Sequence, residues 1–259
     1  MDTAEFRFHG EVKDFLSSGN KTGHLLYPLQ RRASIKDVIE SLGPPHTEIG
    51  RIIVNGQEKD FTHIVQPEDK IDVFPQPIPV PVCRATRLRP DPFDSIRFLV
   101  DVNVGKLAVF LRMLGLDAAY DPDWRDQKIA EKSEQEKRIV LTRDSNLLKR
   151  SQVVYGRLIR AVHPEDQLKE VLYWFGLDGP FAFFSRCLVC NVPLSDVRKA
   201  DILHRLEPKT RKYFHTFRIC PSCERIYWKG SHHERMRRRL VRMGIPLDTS
   251  CPTAHNHLC

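Results

Sequence analysis

The sequence predicts an α/β domain with a mostly parallel sheet, placed between a small α+β domain and a compact module held together by cysteines. Three observations support this division of the 259 residues. Patterns of β and α structure alternate over residues 96–182, a proline-rich segment precedes them, and two Cys-x-x-Cys pairs follow them. Alternation of this kind is typical of a parallel sheet covered by helices on both faces.

The first 74 residues have the pattern of an α+β domain with four strands and one helix. The strands are predicted at 5–9, 23–28, 51–56 and 71–74, and the helix at 35–42. Ser34 is a suitable N-cap for the helix, and Gly43 ends it. The order ββαββ, with the segments IIVNG and EDKIDVFP, resembles the ubiquitin-like β-grasp domain of the sulfur-carrier type.

Sulfur carriers of that type end in Gly-Gly, whereas this chain continues into Pro75-Gln76-Pro77. The resemblance therefore implies that the domain binds a partner protein or orients a substrate, without carrier chemistry. Prolines at alternate positions up to Pro81 exclude a helix or an inner strand, so residues 75–95 are predicted to form an extended linker.

The α/β domain at 96–182 contains four predicted strands and three helices. The strands lie at 96–100, 117–120, 138–142 and 158–162, and the helices at 107–114, 126–130 and 168–175. Asp101 directly follows the first strand, and Asp144 comes two residues after the third. Both are predicted at the carboxyl edge of the sheet, which is where open α/β sheets bind ligands.

Carboxylates that converge at one edge repel one another unless a cation lies between them. Mg²⁺ or Mn²⁺ suits oxygen ligands, and such an ion can activate water for attack on a phosphodiester. Asp101 and Asp144 are therefore predicted metal ligands and catalytic residues. Further acids that could complete the site are Asp121, Asp123, Asp126, Glu165 and Asp166. Thr142 and Arg143, beside Asp144, could contact phosphate or orient an acid.

Each of these aspartates also has a purely structural interpretation, because aspartate after a strand is common as a turn former or helix N-cap. Asp144 could cap the turn at 145–150, and Asp126 could cap its own helix. Two strand-end aspartates in one domain, next to a basic module, favour the functional interpretation for Asp101 and Asp144. For the other acids both interpretations stay open.

Cys187, Cys190, Cys220 and Cys223 have the spacing of a tetrahedral Zn²⁺ site. Four sulfur ligands leave no open position for a substrate, so this zinc would be structural. The alternative is two redox pairs or four buried thiols, although redox pairs usually come singly and near a βαβ pattern. The gap between Cys190 and Cys220 is longer than usual, which predicts an inserted loop or hairpin arm.

The net charge is concentrated in the C-terminal part of the chain. Residues 183–259 hold 15 Lys and Arg against 6 Asp and Glu, a net charge of +9, whereas residues 1–182 have a net charge of −1. This predicts an electrostatic contact with a polyphosphate, with a generally basic soluble surface as the alternative. The predicted RNA contacts are Arg143, Lys229, Arg235, Arg237, Arg238, Arg239 and Arg242.

Five of those arginines lie in a predicted basic helix at 234–242, whose narrow apolar stripe fits a phosphate backbone. A helix that lies on a membrane surface would need a larger apolar face. Tyr227 and Trp228, beside Lys229, could stack on bases. Packing within the small module is the favoured role of Trp228.

The sequence also carries expectations about location. It contains no run of eighteen apolar residues, so no membrane span is predicted. Residues 1–5 lack the basic start and apolar region of a signal peptide. Paired cysteines without such a signal are typical of metal binding in a reducing compartment, and we expect a cytoplasmic protein.

Five blocks of sequence together resemble a known family. They are FLVDVNVGKLAVFLRMLGLD (98–117), RIVLTRDSNLLKR (138–150), EDQLKEV (165–171), CLVCN (187–191) and CPSCERIYWKGSHHERM (220–236). Their order is similar to that of the PIN-like RNase family named after the C-terminal region of the Mut-seven exonuclease. Members pair a PIN-like nuclease domain with a zinc ribbon, and many carry an N-terminal ubiquitin-like domain.

The resemblance implies roles for particular residues. Asp101 matches the first PIN acid and Asp144 the acid of the LTRD segment, while the intermediate acid falls among Asp123 and Asp126 and the fourth near Asp166. The first helix often carries Arg-Trp where this chain has Val109-Phe110. The missing arginine leaves Lys106 and Arg112 as the cations of that helix for a phosphate contact there.

These observations predict a ubiquitin-like β-grasp domain at 1–74, a linker at 75–95, a PIN-like domain at 96–182, a zinc ribbon with its basic helix at 183–243, and a flexible tail at 244–259. The leading hypothesis is a ribonuclease that depends on Mg²⁺ or Mn²⁺. Its first rival is an RNA- or ribosome-binding protein without catalysis, in which the acids only cap helices. A weaker one is a protein-interaction adaptor that uses the first domain.

Overall fold

The computed structural model describes residues 2–17 and 20–247. Its strands form three sheets, one for each predicted unit. The strands are β1 (Thr3–Phe8), β2 (His24–Pro28), β3 (Ile49–Val54), β4 (Gln57–Glu58), β5 (Lys70–Pro75), β6 (Phe98–Val100), β7 (Ala118–Ala119), β8 (Ile139–Thr142), β9 (Gly156–Leu158), β10 (Ser195–Val197), β11 (Phe217–Ile219) and β12 (Ile226–Tyr227). The α-helices are α1 (Ile35–Leu42), α2 (Gly105–Met113), α3 (Asp126–Gln135), α4 (Ser145–Leu148), α5 (Pro164–Phe175), α6 (Lys199–Ile202), α7 (Pro208–Tyr213) and α8 (Ser231–Arg242).

The N-terminal domain is a mixed sheet in the order β2-β1-β5-β3-β4. The first and last long strands, β1 and β5, run parallel, and the other neighbours are antiparallel. Ser34 caps α1 as predicted, because its side chain accepts the N–H of Asp37 at 3.2 Å. The hairpin turn has positive φ angles at Asn55 and Gly56, as expected for an Asn-Gly turn. The ubiquitin-like arrangement is therefore confirmed.

The α/β domain has a four-stranded, fully parallel sheet in the order β7-β6-β8-β9. Side chains of β6 alternate between its two faces, because successive strand residues point in opposite directions. Phe98 and Val100 pack in the core that contains α2 and α5. Leu99 packs on the other face with residues of α3 and α4. The predicted layers, with helices on both faces, are present.

The last strand of this sheet is shorter and earlier than the sequence predicted, at Gly156–Leu158 instead of 158–162. The Glu170 carboxylate of α5 accepts the backbone N–H groups of Arg160 at 3.1 Å and Ala161 at 3.0 Å. Those amides therefore bond to a helix side chain instead of a neighbouring strand, and the ladder ends at Leu158.

The segment at 75–95 contains no helix or strand after Pro75, yet it is packed against the rest of the protein. Val82 and Phe93 are buried in the α/β core. Arg89 is buried between the domains and donates to Val154 O at 3.0 Å, Ile49 O at 2.9 Å and His46 O at 2.9 Å. Burial lowers the pKa of Arg89 to about 10.

The N-terminal domain covers the β9 edge of the parallel sheet. Glu48 accepts the N–H of Leu158 at 2.7 Å and a guanidinium hydrogen of Arg157 at 2.7 Å. Burial raises the pKa of Glu48, and the charge of Arg157 opposes that effect. His46 Nε2 also lies 2.8 Å from Val153 O. An exposed sheet edge invites pairing with other chains, and here the first domain closes it.

The cysteine module contains a small antiparallel sheet in the order β10-β11-β12. The predicted insertion between Cys190 and Cys220 contains the antiparallel pair β10 and β11, with α6, a 3-10 turn at Leu203–Arg205 and α7 between the two strands. A separate apolar cluster holds it together, with Ile202, Leu206 and Phe217 at its centre. The arrangement is compatible with a zinc ribbon, and the ribbon fold itself stays a prediction.

Of the tail predicted at 244–259, residues 248–259 lie outside the described residues. Ile245, which is described, packs in the α/β core. No helix in the described part of the chain has both the length and the apolar character that a membrane crossing requires.

Candidate functional site

Asp101 lies at the carboxyl end of the central strand β6 and is only 5% exposed. Its carboxylate accepts the backbone N–H of Val102 at 2.6 Å, a side-chain amide hydrogen of Asn103 at 2.6 Å and the hydroxyl of Thr142 at 2.7 Å. The first of these bonds caps the short 3-10 turn that follows the strand. A buried carboxylate with this many donors is held in one orientation.

Thr142, the last residue of the neighbouring strand β8, joins Asp101 to Asp144. Its buried hydroxyl donates to Asp101 and accepts the backbone N–H of Asp144 at 2.9 Å. Asp144 in turn caps α4, since its Oδ1 accepts the N–H of Asn146 at 2.8 Å. The capping roles that the sequence suggested are thus real for both aspartates, and they position the carboxylates at one edge of the sheet.

Asn103 is a member of this site that the sequence prediction missed. Its amide donates to Asp101, and its Oδ1 accepts the backbone N–H of Arg143 at 3.0 Å. The loop after β6 is therefore bound to the loop after β8. The sequence does contain an Asp-x-Asn segment directly after a buried strand. The role of Asn103 could not be predicted from it, because that role depends on the loop after β8 lying beside it.

The two aspartates suit a hard divalent ion. Oδ1 of Asp101 accepts one hydrogen bond, from Val102, while Oδ2 accepts two. Asp144 uses Oδ1 for its cap. One oxygen of each carboxylate can therefore still bind a cation, and Mg²⁺ is commonly held by one or two carboxylates together with water and phosphate oxygens.

The other predicted acids occupy the same edge in the topology but make local contacts. Asp123 is exposed, and its N–H bonds to Asp121 at 3.0 Å. Asp126 lies in the first turn of α3, 3.9 Å from Arg150. Asp166 likewise lies in the first turn of its helix, α5, and its carboxylate is 3.9 Å from Lys169.

Asp126 is not the N-cap of α3, because Arg125 occupies that position. In the part of the chain that the structure describes, the four cysteines are the one group of three or more His, Cys, Asp or Glu side chains placed to share a metal ion. Participation of Asp123, Asp126 and Asp166 in a metal site stays a prediction.

The four cysteines Cys187, Cys190, Cys220 and Cys223 converge as the sequence predicted. Their sulfurs all lie within 4.8 Å of one another, and the Cys187 and Cys223 sulfurs are 3.6 Å apart. A tetrahedral zinc ion with bonds of about 2.3 Å requires sulfurs about 3.8 Å apart. The cluster therefore fits zinc.

The electrostatics of the cysteine cluster also favour a cation. Burial opposes ionisation of Cys187, but hydrogen bonds from the Tyr227 hydroxyl and neighbouring backbone N–H groups bring its pKa down to about 6. The hydrogen bond with Cys223 is the main cause that raises the pKa of Cys190 to about 12. Once one thiolate has formed, the next is disfavoured, so a bound cation is needed to keep all four ionised.

The first cysteine turn is fixed to the α/β domain by Arg112. This side chain is 2% exposed and donates to the carbonyl oxygens of Ala118, Leu188 and Val189 at 2.9 to 3.0 Å. Its suggested role as a phosphate contact is therefore wrong, because the guanidinium is buried in a structural role. Asn191 adds to the contact by accepting the N–H of Ala118 at 3.1 Å, at the β7 edge of the sheet.

The basic helix α8 packs on the α/β domain through Met236 and Leu240. Arg239 donates to Glu165, in the first turn of α5, at 2.5 Å and lies over the ring of Phe110 at 4.6 Å. That turn follows β9, so the helix passes close to the carboxyl edge of the sheet. The charged residues of α8 that line a shallow groove are Glu234, Arg235, Arg237, Arg238, Arg239 and Arg242.

The remaining predicted cations lie at the surface. Arg143 and Lys229 are exposed, and Arg143 stands between Thr142 and Asp144 at the acidic edge. Arg237 is half-buried and lies 3.8 Å from Glu234 in its own helix. Trp228 contacts Phe217 with ring centroids 6.4 Å apart but is 38% exposed, so part of its ring packs on the module and the rest faces solvent.

The fold and the site define a multidomain protein in which a parallel α/β domain with strand-end carboxylates joins a ubiquitin-like domain to a four-cysteine module. The family model of the Mut7-C RNAse domain matches residues 96–240, and that of the Mut7-C ubiquitin domain matches residues 1–80. The chain belongs to the Mut7-C RNAse domain family, which indicates ribonuclease activity in general. No curated protein and no solved structure matches the chain.

Proposed function

We propose that this protein is a ribonuclease that hydrolyses RNA phosphodiester bonds with the help of Mg²⁺ or Mn²⁺. The observation that carries the proposal is the shared hydroxyl of Thr142, which bonds to Asp101 and to the backbone of Asp144. It brings two carboxylates from adjacent parallel strands to the edge of the sheet where such folds bind ligands.

In this proposal Asp101 and Asp144 hold the ion, and Asp126 or Asp123 and Asp166 contribute through water or after substrate binding. A bound ion would supply Lewis-acid chemistry, polarising the phosphodiester and lowering the pKa of the attacking water. The hydrogen bonds from Thr142 and Asn103 keep the Asp101 carboxylate in a fixed orientation.

The basic surface would hold the RNA. Arg143 presents an exposed side chain beside the carboxylates. Arg239 places α8 next to the first turn of α5 at the same edge. An RNA strand that lies along the arginines of α8 would begin near Lys229, which precedes the helix, and would lead towards Asp101 and Asp144.

The roles of the other two units follow from their contacts. Zinc at the four cysteines would stabilise the first cysteine turn, which Arg112 fixes to the α/β domain. The N-terminal domain covers the β9 edge of the parallel sheet through Glu48. In its own sheet, β2 is an edge strand. We propose that this remaining surface binds a partner protein.

A second candidate is RNA binding without cleavage. It is favoured by the caps that both aspartates form, since a cap requires no metal. It predicts strongly salt-dependent binding and no turnover that depends on added divalent ions.

The decisive experiment compares cleavage of end-labelled single-stranded and structured RNA by the parent protein, Asp101→Asn and Asp144→Asn. Each is assayed with Mg²⁺, with Mn²⁺ and without added divalent ion, which avoids removing zinc with a chelator. Asp178→Asn is the matched control, because Asp178 is an exposed aspartate of the same domain.

We expect cleavage by the parent and the control only when a divalent ion is added, and none by the other two variants. RNA binding by all four proteins should be nearly equal. Cleavage that persists in Asp101→Asn would refute the site, and binding without cleavage in every protein would favour the second candidate.

A further inference from the structure

A pocket of about 430 Å³ lies between the end of the small sheet and the start of α8, away from the carboxylates. Its lining includes Tyr227, Trp228 and residues 231–233, together with the apolar side chains of Phe184, Leu188 and Met236. The size is typical of small-molecule sites, as is an apolar lining with a few polar groups. It has no role in the site described above.

The polar groups of the pocket favour an anionic or neutral ligand. Arg225 is the exposed cation of the lining, and none of the described residues that form it is acidic. Arg186 also lines the pocket, but its guanidinium already donates to Gly115 O at 3.0 Å and Asn191 O at 2.9 Å. His233 packs against the Phe184 ring with centroids 4.3 Å apart. Burial, and then the charges of Arg237 and Lys229, lower the pKa of His233, so its neutral ring can both donate and accept hydrogen bonds.

Contacts with neighbouring residues hold both aromatic side chains of the lining, Tyr227 and Trp228, in place. The hydroxyl of Tyr227 lies 3.1 Å from Cys187 Sγ and accepts the N–H of Leu188 at 3.1 Å, which fixes its ring beside the cysteine cluster. Trp228 lies so close to Gly230 that a Cβ at that glycine would be 2.6 Å from the indole Nε1. The partly exposed indole is thus held between Phe217 and the chain of Gly230.

The pocket is continuous with the basic surface. Ser231, His232 and Met236 of α8 line it, and Arg239 of the same helix reaches Glu165 at the carboxyl edge of the large sheet. Eight residues of helix span about 12 Å. Helix α8, which carries the arginines, therefore runs from the pocket towards the acidic edge.

We propose that this pocket binds an unpaired nucleobase of RNA, stacked on Trp228, at a fixed distance along the strand from the bond that is cut. A nucleotide fits this lining, because its flat base can stack on the indole beside the apolar side chains and its phosphate can pair with Arg225. The distance from the cut rests on the proposed ribonuclease function, whereas binding of the base does not.

The test measures binding of AMP, GMP, CMP and UMP to the full-length, zinc-loaded protein by calorimetry, with ribose 5-phosphate as the probe that lacks a base. Four variants are compared with the parent. Trp228→Leu removes the ring, Trp228→Phe keeps a smaller one, and Gly230→Ala displaces it. Tyr213→Leu is the matched control, since Tyr213 is an exposed aromatic residue of the same module outside the pocket.

We expect at least one nucleotide to bind in preference to ribose 5-phosphate. Stacking of a base is worth about 1–3 kcal/mol, so Trp228→Leu should weaken binding by about 5- to 150-fold. Gly230→Ala should weaken it as well, Trp228→Phe should retain part of it, and Tyr213→Leu should leave it unchanged. Unchanged zinc content and thermal unfolding would show that the module remains folded.

Equal binding of ribose 5-phosphate, no nucleotide binding at millimolar concentration, or parent-like binding by Trp228→Leu would each overturn the proposal. Asp101→Asn should bind the nucleotides as the parent does, because no acid of the carboxyl edge lines the pocket. Nucleotide binding by a parent protein that never cleaves RNA would support the pocket while the nuclease fails. Cleavage without nucleotide binding would do the reverse.

Discussion

The hydroxyl of Thr142 donates a 2.7 Å hydrogen bond to Oδ2 of Asp101, across two adjacent parallel strands. Thr142 is fully buried, and Asp101 is nearly so. The bond fixes the orientation of a carboxylate that ends one strand by means of the residue that ends the next. The end of β8 thereby holds in place the carboxylate that we propose as a metal ligand.

Replacing this hydroxyl should affect both stability and cleavage. Thr142→Val has a similar shape but leaves the Asp144 N–H without its acceptor and Asp101 without one donor. Leaving a buried polar group unsatisfied costs about 1–3 kcal/mol. We expect the free energy of unfolding to fall by that amount in urea titrations and the cleavage rate to fall with it. Thr142→Ser should restore both, and a valine variant as stable as the parent would contradict this role.

The arginines of α8 should determine how RNA binding depends on salt. The triple variant Arg235→Ala/Arg238→Ala/Arg242→Ala removes up to three phosphate contacts. Each contact contributes about 0.7 to the slope of log affinity against log salt for a single strand. We therefore expect the slope, measured by fluorescence anisotropy, to decrease by about 2. The double variant Arg31→Ala/Arg32→Ala, at exposed positions of the first domain, should keep the parent slope.

The cysteine cluster should bind one zinc ion per chain. Cys220→Ser removes a buried ligand, and elemental analysis should show loss of the metal. Because Leu188 and Val189 of the first cysteine turn are bound by Arg112, we expect the whole module to lose protection from limited proteolysis. Equal zinc content in the variant and the parent would exclude the cluster as the metal site.

The buried ion pair between Glu48 and Arg157 should hold the first domain on the β9 edge. Glu48→Ala leaves a buried guanidinium with weaker partners, namely Glu170 at 3.2 Å and Glu11 at 3.4 Å. Breaking a buried pair costs about 3–5 kcal/mol, and the remaining partners place the expected loss near the lower end. Chemical denaturation measures the loss. Glu58→Ala, at an exposed position of β4, should show almost no change.

Local sequence patterns were sufficient for several elements. Ser34 begins α1 because its hydroxyl accepts a helix N–H, and Asn55-Gly56 turns a hairpin because both residues tolerate positive φ. Each Cys-x-x-Cys pair places its two sulfurs on the same side of one turn because they are three positions apart. These features depend on neighbours within a few residues, so the sequence displays them directly.

Other features depended on partners far away in the chain. Residues 160–162 have the composition of a strand, but Glu170 of α5 binds two of their amides. Arg112 is a cation and was expected to contact phosphate, but its guanidinium donates to three carbonyl oxygens, two of them in the cysteine module. A pattern read along the chain contains no information about such partners.

The sequence by itself determined the three units, the cysteine cluster and the presence of aspartates at strand ends, since periodicity and spacing are local properties. Only the tertiary structure decided that Asn103 and Thr142 hold Asp101, and that the first domain closes one sheet edge while Asn191 reaches the other. It also decided that α8 reaches the acidic edge from a separate pocket. Each of these depends on which loops and edges become neighbours when the sheet forms, because polar groups that folding buries must find partners among those neighbours.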